Sequence, residues 1–164
     1  HKYVYSHFGY NLKVTDMQAA IGCAQLQKLP GFVEARRRNF AYLSERLQCV
    51  REYFILPEVC ENSEPSWFGF MITCRESVDK NKVVRYLEEN GIQTRMLFAG
   101  NLTKQPCFDE MRKTGVGYRI VGELTNTDHI MENTFWIGVY PGMTTEMLNY
   151  MVEKITETVS MPCD

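Results

Sequence analysis

The chain has 164 residues, of which 45% are hydrophobic and 23% charged, the proportions of a globular protein able to bury one core. A formal net charge of -2 leaves no electrostatic footprint for nucleic acid or an anionic membrane surface. No apolar run approaches the roughly 18 residues that a membrane span needs.

Six cysteines (Cys23, Cys49, Cys60, Cys74, Cys107 and Cys163) are scattered without a CxxC pair. Free thiols in a reducing cytoplasm are therefore expected, with Cys23 and Cys74 at apolar-pattern positions. The three histidines are too isolated to act as ligands together. The first residues do not read as a signal peptide and carry no initiator Met, and the abrupt start at His1-Lys2-Tyr3 leads to the expectation of a piece of a longer protein.

In chain order, an aromatic, Gly-containing loop leads to a helix start at Thr15. Gln18 stands three residues on, the spacing of a capping box. Met17, Ala20, Ile21 and Ala24 share a face, and Ala19, Gly22 and Cys23 keep this helix thin, which suits a packed junction. Leu29-Pro30-Gly31 reads as a break. A second helix then runs to about Cys49 on Phe32, Val33, Phe40, Leu43 and Leu47. Tyr53 to Glu64 looks irregular.

Ser66 to Cys74 alternates Phe68, Phe70 and Ile72 against Trp67, Gly69 and Met71, which predicts a strand at least partly covered on both faces. Asp79 can cap a helix that Asn90-Gly91 ends. Ile92 to Phe98 is a second strand. Gln105 to Met111 suggests a short helix, and Thr125 or Thr127 can cap another. Phe135 to Tyr140 is a third strand, and Thr145 can cap a last helix with the stripe Met147, Leu148, Met151, Val152, Ile155 and Val159. Three short strands with segregated helices predict an α+β fold, a small, mainly antiparallel sheet covered by helices.

No stretch offers a nucleophile–base pair, a phosphate-cradling glycine loop or a metal cluster. Glu88 and Glu89 are helix neighbours that point apart, and the lysines read as sitting in polar contexts. Arg95, inside a strand, either pairs with a glutamate or holds a phosphate or carboxylate. Asn101 follows a strand end and a glycine, where loop amides touch ligands or simply make turns. Tyr10-Asn11 could present an amide to an anion near a helix start. Phe68, Phe98, Trp136 and Tyr140 read as core.

The wording of several segments goes further. GYNLKVTDMQAAIGCAQLQKL resembles the GYN-x-R/K-x-TD-x-QAA-x-G-x-AQL signature of the DegT/DnrJ/EryC1/StrS family, pyridoxal-phosphate-dependent sugar aminotransferases of fold type I. YSHFGYNLKVTDMQAA, PSWFGF, TRMLFAGNL, RIVGELTNTD and TFWIGVYPG together are similar to its CDP-4-keto-6-deoxyglucose 3-dehydrase branch, proteins of lipopolysaccharide biosynthesis.

The resemblance implies a connecting loop and helix over residues 1–30 and a small C-terminal domain over 31–164, with the large cofactor-binding domain absent. For the whole enzyme it implies 3-dehydration of a nucleotide-linked 4-keto-6-deoxyhexose, with pyridoxamine or pyridoxal 5'-phosphate, a [2Fe-2S] cluster whose cysteines lie upstream, an iron–sulfur reductase partner and a homodimer. No catalytic residue, metal ligand or bound cofactor is expected in this piece by itself. Carried over by position, Asn11 would reach the cofactor phosphate of a neighbouring subunit and Phe68 would face the cofactor. Arg95, Asn101 and Tyr140 would line the sugar-nucleotide side. His129 stands where relatives carry an arginine, which weakens the charge offered to a diphosphate. An aminotransferase and a non-catalytic assembly module are the competing expectations.

Overall fold

A computed structural model describes residues 9, 10 and 12–159; the expected role of Asn11 lies outside these residues. The first helix, α1, is one element from Asp16 to Arg46. Its capping box forms as the sequence suggests, with Thr15 Oγ1 accepting from Gln18 N and Gln18 Oε1 accepting from Thr15 N at 3.0 Å. The expected break does not occur. Pro30 removes one backbone donor, but no Ser, Thr, Asp or Asn follows it to cap a new helix, and the turn continues through.

The two halves of α1 differ in environment. Phe40 and Leu43 are buried, whereas Met17, Ile21, Leu26 and Leu29 stand exposed. Cys23 is exposed too, against expectation, and no atom approaches within 4 Å of where a Gly22 Cβ would stand. The thin stretch meets no partner within the described residues.

The sheet has four strands rather than three: β1 (Phe54–Ile55), β2 (Gly69–Cys74), β3 (Thr94–Met96) and β4 (Thr134–Gly138). They run in the order β1-β2-β4-β3, each neighbouring pair antiparallel. β1 escapes sequence reading because two residues are too short for an alternation pattern. β3 is shorter than the predicted strand because Phe98 takes φ +49°, which turns the chain out of the ladder.

Helices α1, α2 (Lys80–Glu89) and α5 (Thr145–Thr158) supply one side of the core. Leu43, Leu47, Val83, Leu87, Leu148 and Ile155 pack with Phe54, Phe70, Ile72, Phe135 and Ile137 from the sheet. Each such side chain fully buried contributes about 1.5–3 kcal/mol. Asp79 caps α2 by accepting from Asn81 N and Lys82 N, and Gly91 at φ +74° follows its end. Thr144, not Thr145, caps α5, accepting from Met147 N. In the last helix Leu148, Met151 and Ile155 are buried as the stripe suggests, while Met147 is exposed.

Between β3 and β4 the chain forms two single 3₁₀ turns, then α3 (Asp109–Thr114) and α4 (Thr125–Asn133). Neither Thr125 nor Thr127 caps α4; Leu124 stands at that position with no side-chain acceptor. Lys80 departs from the polar setting read for the lysines. It is buried, and its ammonium donates to Met131 O at 2.8 Å, tying α4 to the start of α2.

Candidate functional site: the open face of the sheet

Side chains directly opposite one another in an antiparallel ladder share a face. Trp136 on β4 is opposite Met71 on one side and Arg95 on the other, so these three lie across the face away from the helices. Trp136 is the fixed point there. Its Nε1 donates to Met96 O at 3.2 Å, and its six-membered ring lies over Gly69, where a Cβ would come within 2.6 Å of it.

A bend at Phe68 shifts the alternation read from the sequence. Trp67 turns to the helix side against Phe40, with ring centroids 4.5 Å apart. Phe68 instead meets Trp136 edge to face at 5.3 Å and 87°. Phe98 approaches the same indole at 6.4 Å. The core assignment of these rings is thus corrected: Phe68 is 58% exposed, Phe98 73% and Tyr140 45%, while Trp136 is half-buried.

Arg95 is exposed and makes no ion pair within 4 Å among the described residues. Its acidic neighbour Glu88 is engaged by Thr94, whose N and Oγ1 donate to Oε1 at 2.6 and 2.7 Å. Those bonds, first the backbone one, and then the Arg95 charge hold the Glu88 carboxyl below its usual range.

Asn101 belongs to a second cluster. It is 2% exposed and its amide is used internally: Oδ1 accepts from Thr103 N at 3.0 Å and Thr103 Oγ1 at 2.6 Å, and Nδ2 donates to Asp128 Oδ1 at 2.7 Å. Lys104 Nζ sits 2.9 Å from the same oxygen. Lys104 first, then Asn101, hold the Asp128 carboxyl below the usual carboxylate range. Gly100, at φ +61°, lets Met131 pack where a Cβ would meet it at 2.3 Å. The cluster therefore anchors the turn that presents Phe98. His129, next on α4, is exposed, and its Nδ1 lies 3.3 Å from Asn133 Nδ2.

Tyr140 stands just past β4. Buried Asn39 donates to its carbonyl at 2.9 Å, and its hydroxyl lies 3.9 Å from Met147 Sδ. It lines a groove with Gly138, Gln93, Met147 and Tyr150. Phe68 and Arg95 thus share the open face through Trp136, Tyr140 lies beyond its end, and Asn101 and His129 belong to the α4 cluster. Trp136 and Phe98 were missed because aromatic residues in strands default to core. The signal that could have found Trp136 is Gly69, a glycine inside a strand pattern, which marks close approach. Among the described residues no three His, Cys, Asp or Glu side chains converge as metal ligands.

The chain is 58% identical over 159 residues to lipopolysaccharide biosynthesis protein RfbH of Salmonella typhimurium, covering 96% of this chain and 35% of that protein. It is 46% identical over 162 residues to dTDP-4-dehydro-2,6-dideoxy-D-glucose 3-dehydratase of Saccharopolyspora spinosa, covering 98% of this chain and 34% of the relative. The chain thus spans about a third of the length of these curated relatives. A crystal structure of GDP-4-keto-6-deoxymannose-3-dehydratase with a trapped PLP-glutamate geminal diamine superposes with a TM-score of 0.77 at 27% identity, over 93% of this chain and 38% of that one. Residues 1–156 match the DegT/DnrJ/EryC1/StrS aminotransferase family, and the chain belongs to it.

Proposed function

We propose that the chain is the C-terminal domain of a cytoplasmic nucleotide-sugar 3-dehydrase dependent on pyridoxamine phosphate. The observation that carries the reading is the open sheet face, where two exposed aromatic rings stand beside an exposed guanidinium that makes no ion pair within 4 Å among the described residues. Two of the similar proteins named above, the Saccharopolyspora spinosa protein and the solved structure, are 3-dehydratases, which supports the reaction class.

Bound pyridoxamine phosphate supplies the electron sink that lets a hydroxyl leave the sugar carbon beside the ketone. This chain's residues bind and shape. Phe68 forms an apolar wall that keeps water from the reacting ring and restricts its tilt. Arg95 offers a planar, permanently charged donor fork to a phosphate oxygen. Tyr140 Oη, whose nearest partner is a weakly accepting thioether, is free to bond a sugar hydroxyl. Asn101 acts through the turn that it anchors, and His129 is assigned to the outer end of the substrate. Asn11 would reach the cofactor phosphate of a second subunit in a homodimer.

The described cysteines do not fit a [2Fe-2S] ligand set, since no three candidate ligands converge and Cys74 alone is buried. The cluster and the docking of an iron–sulfur reductase are assigned to the rest of the protein, together with the catalytic base. By itself this chain is expected to show no turnover.

The test is product analysis with the full-length protein, a nucleotide-linked 4-keto-6-deoxyhexose, pyridoxamine phosphate and an iron–sulfur reductase. Loss of the 3-hydroxyl supports the reading. An amino group at C4 with the 3-hydroxyl retained would make the protein an aminotransferase instead.

A further inference from the structure

Phe98 is held in a conformation that large side chains seldom adopt. Its φ is +49°, a region where residues other than glycine are uncommon and where strain collects at ligand sites. The turn is fixed from both sides. Phe98 N donates to Met96 O at 2.7 Å and Gly100 N to Leu97 O at 3.2 Å, while Asn101 is pinned to Thr103 and Asp128. None of these bonds involves the ring. The residue is 73% exposed, and its ring has Trp136 at 6.4 Å as an aromatic neighbour. A glycine would relieve the backbone and sacrifice little burial among the described residues, so the packing within this chain supplies scant reason for a phenylalanine here.

We propose that Phe98 is a specificity-determining residue that stacks on the nucleobase of the nucleotide-linked substrate; this rests on the open face being the substrate side. The base is the part of such a substrate that is flat and unsaturated, and exposed aromatic rings take bases by stacking. Arg95 stands three residues earlier on the same face with no ion pair within 4 Å among the described residues, so a guanidinium for the diphosphate and a ring for the base lie on one surface. Trp136 is the positioning residue: bonded to Met96 O and seated on Gly69, it stands between Phe68 and Phe98 and keeps base and reacting sugar on separate rings.

The experiment uses the full-length, cofactor-loaded protein with Phe98→Gly, Phe98→Leu and Phe98→Tyr. KM for the nucleotide sugar, the inhibition constant of cytidine diphosphate and the Kd of pyridoxamine phosphate are measured beside thermal melts. Phe98→Gly is expected to melt no lower than the unaltered protein, yet to raise KM and the cytidine diphosphate inhibition constant together by roughly ten-fold. Phe98→Leu is expected to weaken both in the same direction, and Phe98→Tyr to restore them. Unchanged KM and inhibition constant in Phe98→Gly would overturn the proposal. So would a loosened cofactor with cytidine diphosphate unaffected, which would turn the ring toward the cofactor. If the unaltered protein turns over no nucleotide sugar, the reading of the face fails instead, and the proposal with it.

Discussion

At the scale of single residues, the open face depends on an absent side chain. Gly69 is opposite Gly138 in the ladder, and only its missing Cβ lets the Trp136 indole lie flat against β2. Gly69→Ala should therefore displace the indole and cost about 1–3 kcal/mol in urea unfolding, with a shift in tryptophan emission. Gly138→Ala, where no atom lies within 4 Å of the new Cβ, should leave the emission where it was. Cys74 offers a second test. Burial pushes its thiol up to about 12, with Lys80 opposing only in part. A raised pKa means that the folded state holds its proton through neutral pH and loses stability only as pH climbs above the ordinary thiol value of 9.0. Labelling at pH 8 should thus modify Cys23, Cys49, Cys60 and Cys107, all exposed, and spare Cys74 until the chain unfolds. Labelling of Cys74 at the rate of the others would show the core to be looser than drawn.

At the scale of elements, the helix caps separate what residue type alone can indicate from what geometry decides. By sequence Thr145 is the expected cap, but it is Thr144 that has the extended backbone and accepts from Met147 N. Thr144→Ala should cost about 1 kcal/mol, and Thr145→Ala no more than about 0.5 kcal/mol, in thermal or urea melts. Much of the fold was legible because its patterns are long: the α5 stripe, the Thr15 capping box and the Asp79 cap each repeat or pair over several residues. The rest was set by contacts that periodicity does not record. β1 is a strand only because Phe54 and Ile55 pair with Cys74 and Thr73. Pro30 stays within a helix because nothing nearby caps a replacement. Of the site, the polar members Arg95 and Asn101 were visible as polar groups near strand ends. The division of labour between them was not, since Asn101's role follows from its burial against Asp128. Aromatic exposure was hidden as well, because a phenylalanine on an open face has the same letter as one in the core.

At the scale of the whole molecule, α1, α2 and α5 lie on one side of a four-stranded sheet, and α1 outruns it. Residues 16–30 of α1 carry Met17, Ile21, Leu26 and Leu29 into solvent. An apolar helical stretch without tertiary packing keeps little of its stability. Hydrogen exchange on this chain by itself should therefore be fast over 16–30 and slow over 39–50. On the proposed domain division the contrast should vanish in the full-length protein; equal protection of both halves in the isolated chain would contradict the packing described.

The central claim is that the face opposite the helices receives the ligand. This chain has two tryptophans, and they report on opposite sides of the sheet: Trp136 on the open face, Trp67 against Phe40. Fluorine NMR of the full-length protein labelled at tryptophan, with both signals assigned by substitution to phenylalanine, can follow them while nucleotide sugar is added. The account predicts a saturable shift of the Trp136 signal with Trp67 nearly still. A shift confined to Trp67, or saturable turnover with Trp136 unmoved, would contradict it.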